Sequence, residues 1–227
     1  CLCVGSQYER ELRQVLAGIP KGVESVIRSC SEQEKMKMRL IQKRPFLVVR
    51  AAGSGMEGSG DLLALRGDIC FPIEVKSSKK PKFYLSGRTK DQYESMIYEG
   101  ERCNLMPLYA YRLKGIRGDS WRIFRVETES LSGKLRKLAP LIPPFPKTRG
   151  GKPFMDWEQG MKLNDFIALV SSQAGIEKFN LNQLQIRSSA NKTNFPSKSE
   201  EKLKFKEASN PPKQVDVFAE LARRKSS

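Results

Sequence analysis

From Asp61 to Lys76 the chain reads as two short apolar segments joined at Gly67-Asp68, a pattern that allows little besides a β-hairpin. Asp61 opens the first strand, expected over 61–65, and the second, expected over 69–75, runs on into Lys76. Side chains alternate along a strand, so Glu74 and Lys76 point to the same face. The turn carries Glu74 back towards Asp61, thirteen residues upstream. Both strands are otherwise apolar, and carboxylates set where a core would continue are expensive unless paired or bound to a cation. Two readings follow. In one, Lys76 neutralises an acid as a plain salt bridge. In the other, the acids hold Mg²⁺, which takes oxygen ligands and keeps several waters, with the lysine beside the attacking water. A lone Glu-x-Lys favours the first reading; Asp61 at the mouth of the same hairpin favours the second.

Composition narrows the chemistry. Lys and Arg number 41 against 25 Asp and Glu, a net charge of +16, which favours a polyanionic partner. Nucleic acid comes first and an anionic membrane surface second. Histidine is absent, which removes Ser-His-Asp and Cys-His nucleophiles, histidine-based zinc sites and nucleases with a histidine base. Hydrolysis would therefore run on carboxylates, lysine and metal. The five cysteines form no CxxC pair, and their number is odd, as expected of reduced thiols in a cytoplasmic protein, with Cys70 as a small buried hydrophobe. Apolar runs such as 46–49 are far too short to span a membrane, and no signal-peptide pattern opens the chain. These features predict a cytoplasmic protein with no membrane partner.

Along the chain, Tyr8, Leu12, Val15, Leu16 and Ile19 recur at helical spacing, closed by Pro20-Lys21-Gly22. A second helix is expected over 23–43, a strand over 46–51 and a glycine-rich loop over 52–60. After the hairpin come a basic connection (76–88), a helix (89–103) with Tyr93, Met96, Ile97 and Cys103 inward, and a second hairpin of strands 106–113 and 121–126. Helices covering a mixed sheet of five strands give an α/β layer architecture. The expected domains are 1–127 with 23–43 as a helical insertion, a Pro-rich linker and short docked helix over 128–175, and a basic disordered tail over 176–227.

Several stretches together resemble the archaeal Holliday-junction resolvases of the PD-(D/E)xK nuclease superfamily. They are Tyr8-Glu9-Arg10-Glu11-Leu12, the run from Val48 to Gly55, Asp61-Leu62-Leu63-Ala64-Leu65, and Ile73-Glu74-Val75-Lys76-Ser77-Ser78-Lys79-Lys80. Phe83-Tyr84-Leu85, Gln92 and the strands up to Arg125-Val126 follow in the family's order, so the resemblance covers roughly 7–127. It implies a restriction-endonuclease-like mixed five-stranded sheet flanked by helices, here with a basic C-terminal extension. It further implies that Asp61, Glu74 and Glu9 bind Mg²⁺, with Mn²⁺ as a substitute and the Val75 carbonyl as a further ligand. Lys76 would orient the attacking water and Gln92 would help to position it. Helical phase does not separate Glu9 from Glu11; the resemblance alone selects Glu9. Arg10 and Arg50 match residues that hold the DNA backbone, and Ser54 lies in the loop over the site. The chain departs from the family in a stretch of some 25 residues before the first strand, in Gly60 where many relatives have proline, and in about 100 residues after the last matched strand.

Lys79, Lys80, Lys82, Arg88 and Lys90 follow Lys76 with no acid between Glu74 and Asp91, a run suited to tracking phosphates beside a metal cluster. The resulting expectation is a Mg²⁺-dependent endonuclease that resolves four-way DNA junctions by paired nicks, acting as a homodimer that matches the junction's two-fold symmetry. The alternatives are a nuclease of the same fold acting on flapped, linear or foreign DNA, and a basic module that binds DNA without turnover.

Overall fold

The structure is a computed structural model and describes residues 4–51 and 60–171. Most of the glycine-rich loop, with Ser54, and everything from 172 onward, the tail expected over 176–227 included, lie outside the described residues.

Helix α1 (Val4–Leu16) forms because Leu12, Val15 and Leu16 fall on one stripe, and all three are buried. Ile19, expected on that stripe, lies past the helix end and is exposed. The single helix expected over 23–43 is two. Helix α2 (Pro20–Ile27) starts with Pro20, whose fixed φ and missing N–H suit the first turn, so Pro20 opens a helix as well as ending the one before it. Helix α3 (Glu32–Lys43) begins at a capping box in which the Ser31 side chain accepts from the Glu34 N–H and the Glu34 carboxylate accepts from the Ser31 N–H. The break explains the ragged apolar period: Val23 and Ile27 face the core from α2, and Met38 and Ile41 from α3.

Strand β1 (Leu47–Arg50) pairs antiparallel with β2 (Leu62–Arg66), which pairs antiparallel with β3 (Ile69–Ser78). Arg66 pairs with Ile69, so Gly67 and Asp68 alone make the turn, and Gly67 takes the positive φ of 58° that a type II′ turn asks of its first central residue. Strand β3 runs three residues beyond the expected end, which puts Lys76 within it. A short strand β4 (Lys82–Tyr84) interrupts the basic connection, and helix α4 (Arg88–Cys103) leads to β5 (Leu108–Leu113), parallel to β3. Tyr93 and Met96 face inward from α4 as expected, whereas Cys103 is exposed. Strand β6 (Trp121–Arg125) completes the five-stranded mixed sheet, and the two-residue β8 (Met161–Lys162) adds a sixth strand among the described residues.

The expected linker is part of the folded body. It carries helix α5 (Gly133–Leu138) and strand β7 (Phe154–Asp156), which pairs with β4 as a separate ribbon, and it buries Leu135, Leu138, Ile142, Phe145, Met155 and Trp157. Helix α6 (Leu163–Ser171) packs against α3. Two cores result, one on each face of the sheet. The first gathers α1, α2, α3 and α6 around Phe71, Ile73 and Trp121; the second gathers α4 around Tyr109, Tyr111, Phe124 and Phe145. No described helix is long and apolar enough to cross a membrane.

Candidate active site

The site lies on the α4 face of the sheet, where β2 and β3 meet. Leu62 pairs with Ile73, so Asp61 sits one residue beyond the ladder, next to Glu74. The Asp61 N–H donates to the Ile73 carbonyl at 2.9 Å, and the Val75 N–H donates to Asp61 Oδ2 at 2.8 Å. Both bonds clamp the acid against β3. Gly60 allows the approach: its φ is +70°, and a Cβ there would stand 2.7 Å from the Ile73 carbonyl oxygen. This is the physical reason for glycine at position 60.

Glu74 is only 4% exposed. Lys76, two residues on and on the same face, donates from Nζ to Glu74 Oε1 at 2.6 Å and to Gln92 Oε1, on the first turns of α4, at 2.9 Å. The salt bridge weighed at the outset is therefore present, and it is made within the cluster. Glu9, on α1, receives Arg50 of β1 through Nε at 3.0 Å and Nη2 at 2.9 Å. Glu11 is engaged elsewhere, accepting from Trp121 Nε1 at 2.9 Å and Arg112 Nε at 3.0 Å. Geometry thus separates the two glutamates that helical phase left equivalent.

The acids act on one another. Burial is the largest cause raising the Asp61 carboxyl from 3.8 to about 6, followed by repulsion from Glu74; Glu9 adds to it, while the Val75 N–H and Lys76 oppose it. Asp61, Glu74, Lys76 and Gln92 are drawn together, with Glu9 close enough to act on Asp61. Among the described residues, however, no three acid, cysteine or histidine side chains stand close enough to hold one ion. Glu9 is turned to Arg50 and Glu74 to Lys76, so the expected three-acid ligand set is not gathered as such. The donors that fit a divalent cation are Asp61 and Glu74, a carboxylate pair whose mutual repulsion a cation would relieve, with the Val75 carbonyl beside them.

The expected phosphate-tracking residues spread outward from this point. Lys79 and Lys80 are exposed on the turn after β3, and the Lys80 carbonyl accepts from the Tyr111 hydroxyl. Lys82 lies 3.8 Å from Asp156, and Lys90 pairs with Glu94 one turn along α4 at 3.2 Å. Arg10 and Arg88 are exposed. Ser54 lies outside the described residues. A buried neighbour that motif reading passed over is Tyr109, which pairs with Glu74 across the β3–β5 ladder. Its only trace in the sequence is the alternation Tyr109-Ala110-Tyr111, which puts both rings on the face that carries Glu74 and Lys76.

Fold and site together define an α/β protein, a mixed sheet between helices with an acid–lysine cluster at the mouth of its central hairpin. Residues 28–137 match the family model described as archaeal Holliday junction resolvase (Hjc), which is what this stretch of the chain is similar to. The match begins at Arg28 and leaves out α1, so Glu9 is placed by the coordinates and not by the family model. Among solved structures, Hjc of Archaeoglobus fulgidus, titled a Holliday junction resolvase from an archaeal hyperthermophile, is 23% identical, covering 58% of this chain and 91% of its own, with a TM-score of 0.39. No curated protein matches the chain.

Proposed function

We propose that this protein is a divalent-metal-dependent endonuclease that cuts branched DNA, four-way junctions above all, and does so as a homodimer in the compartment that holds the DNA. The observation that carries the reading is the convergence of Asp61, Glu74 and Lys76 beside Gln92, in a chain with no histidine and a charge of +16. The similarity of 28–137 to the Hjc family model supports four-way junctions as the substrate class.

Asp61 and Glu74, with the Val75 carbonyl, would hold Mg²⁺ or Mn²⁺. When bound, the ion supplies Lewis-acid polarisation of a phosphate oxygen and a more acidic water. The chain's own groups do the rest. Lys76 would leave Glu74 to orient the attacking water and meet charge developing on the phosphate. Gln92, bonded to the lysine, would keep Nζ aimed. Glu9, steadied by Arg50, would complete the acidic wall. Arg10, Arg50, Lys79, Lys80, Lys82, Arg88 and Lys90, with Ser54 in the loop, would take the backbone phosphates. Those contacts read shape rather than base sequence. A two-fold dimer would set one site on each of two opposed strands and make paired nicks.

A second reading keeps DNA binding and drops turnover, and one observation favours it: Glu74 and Glu9 already have basic partners. Incubating the protein with Mg²⁺ and, in parallel, a mobile four-way junction, a flap and a linear duplex decides between them. Cutting of the junction with little on the duplex supports the proposal. Equal cutting of all three removes the junction preference. Binding with no cutting in Mg²⁺ or Mn²⁺ gives the field to the second reading.

A further inference from the structure

Tyr109 is fully buried, yet among the described residues its hydroxyl has no hydrogen-bond partner. Such an oxygen has given up its hydration with no bond in return, so it asks for a reason. Packing does not supply one. The ring meets Phe145 edge-on at 5.0 Å and Tyr93 at 6.1 Å, contacts a phenylalanine would make as well. The backbone shows where the side chain stands. Tyr109 is the ladder partner of Glu74 across parallel strands β3 and β5, so both side chains rise from the same face as neighbours. The charges of Glu74 and Asp61 both bear on the phenol and, after burial, hold its proton more tightly. A lone buried O–H beside the buried Glu74 and the half-buried Asp61 is a donor next to acceptors.

We propose that Tyr109 is a positioning residue of the carboxylate site, its O–H donating to Glu74, directly or through one water, and holding that carboxylate in place when it serves as a metal ligand. The assignment rests on the nuclease reading above and adds a residue to it. In the structure Glu74 is held from one side by Lys76 at 2.6 Å. If the lysine is to turn to water and phosphate, another donor must keep the acid aimed. Partners of this kind typically change metal affinity by about 10–100-fold when removed.

Tyr109→Phe deletes one oxygen and keeps the ring, so the fold should survive with a thermal midpoint equal to or above that of the wild type. Two readouts are needed. The first is Mn²⁺ binding to the DNA-free protein, followed by the loss of the free-ion paramagnetic resonance signal. The second is junction cleavage as a function of Mg²⁺ concentration. The expected result is Mn²⁺ affinity about 10-fold weaker, a matching shift of the Mg²⁺ requirement, and an unchanged KM for the junction. Tyr93→Phe, which removes a hydroxyl from the adjoining ring, should change neither. Wild-type protein that binds Mn²⁺ and cuts, with Tyr109→Phe within two-fold of it in both assays, overturns the Tyr109 assignment alone. Wild-type protein that neither binds the ion nor cuts overturns the nuclease reading and this assignment with it.

Discussion

Asp61 occupies a place that disfavours its own charge, so Asp61→Asn is expected to strengthen the fold while ending nicking. Burial, then Glu74, raises its carboxyl from 3.8 to about 6. That rise, at roughly 1.36 kcal/mol per pH unit, puts the penalty on the ionised form at about 3 kcal/mol. The folded chain keeps the Asp61 proton up to about pH 6, whereas the unfolded chain releases it near 3.8. The wild type therefore loses stability as pH rises between those two values and carries the full penalty above the higher one. Asparagine has no charge to penalise. It keeps an oxygen for the Val75 N–H but gives up the charge-assisted part of that 2.8 Å bond. The variant should be about 1–3 kcal/mol more stable at pH 8, with the advantage fading by about pH 4. Urea unfolding of both proteins at pH 8, 6 and 4 measures the difference directly. Millimolar Mg²⁺ should raise the wild-type midpoint and leave the variant nearly unmoved, because only a folded state that binds the ion gains from it. A variant weaker than the wild type at pH 8, or a difference indifferent to pH, would refute the reasoning.

Lys76→Met leaves Glu74 buried without its ion pair, and should abolish nicking while lowering stability by about 3 kcal/mol in urea titrations without divalent ions; an equally stable variant would show that the pair is not what keeps Glu74 in place. Gly60→Ala drives a Cβ to within 2.7 Å of the Ile73 carbonyl oxygen at a φ of +70°, so Asp61 must shift; a loss of about 10²-fold in single-turnover rate is expected, in line with small displacements of a reacting group, with near-wild-type junction binding. Exchanging Lys79 and Lys80 together for alanine should weaken junction binding about equally for any sequence and flatten the log Kd against log salt slope by about 1.8, at ~0.9 per phosphate contact. An unchanged slope would place the DNA elsewhere.

The hairpin from Asp61 to Lys76 was legible because its signals are local: alternation, a glycine turn and charges at the strand ends. Its partners were less so. Glu9 and Glu11 flank one stripe of α1, and what separates them is the company each meets, Arg50 from β1 against Trp121 and Arg112 from β6 and β5. No local window holds that information. The break between α2 and α3 did stand in the sequence as Ser31-x-x-Glu34, hidden by apolar residues on both sides of it. The ribbon of β4 and β7 joins segments some 70 residues apart, and pairing at that distance leaves no periodic trace. Pro140, Pro143, Pro144, Pro146 and Gly150-Gly151 read as a linker within 128–175, yet Ile142, Phe145, Met155 and Trp157 fill the cores from that stretch. Tyr109 carries no motif; its place beside Glu74 is a matter of strand register alone.

The most direct test follows each strand of a labelled four-way junction in one turnover with Mg²⁺, comparing the wild type with Glu74→Gln. The account predicts paired incisions on opposed strands from the wild type, and from the variant none, with junction affinity kept. Cutting by Glu74→Gln at the wild-type rate would contradict it.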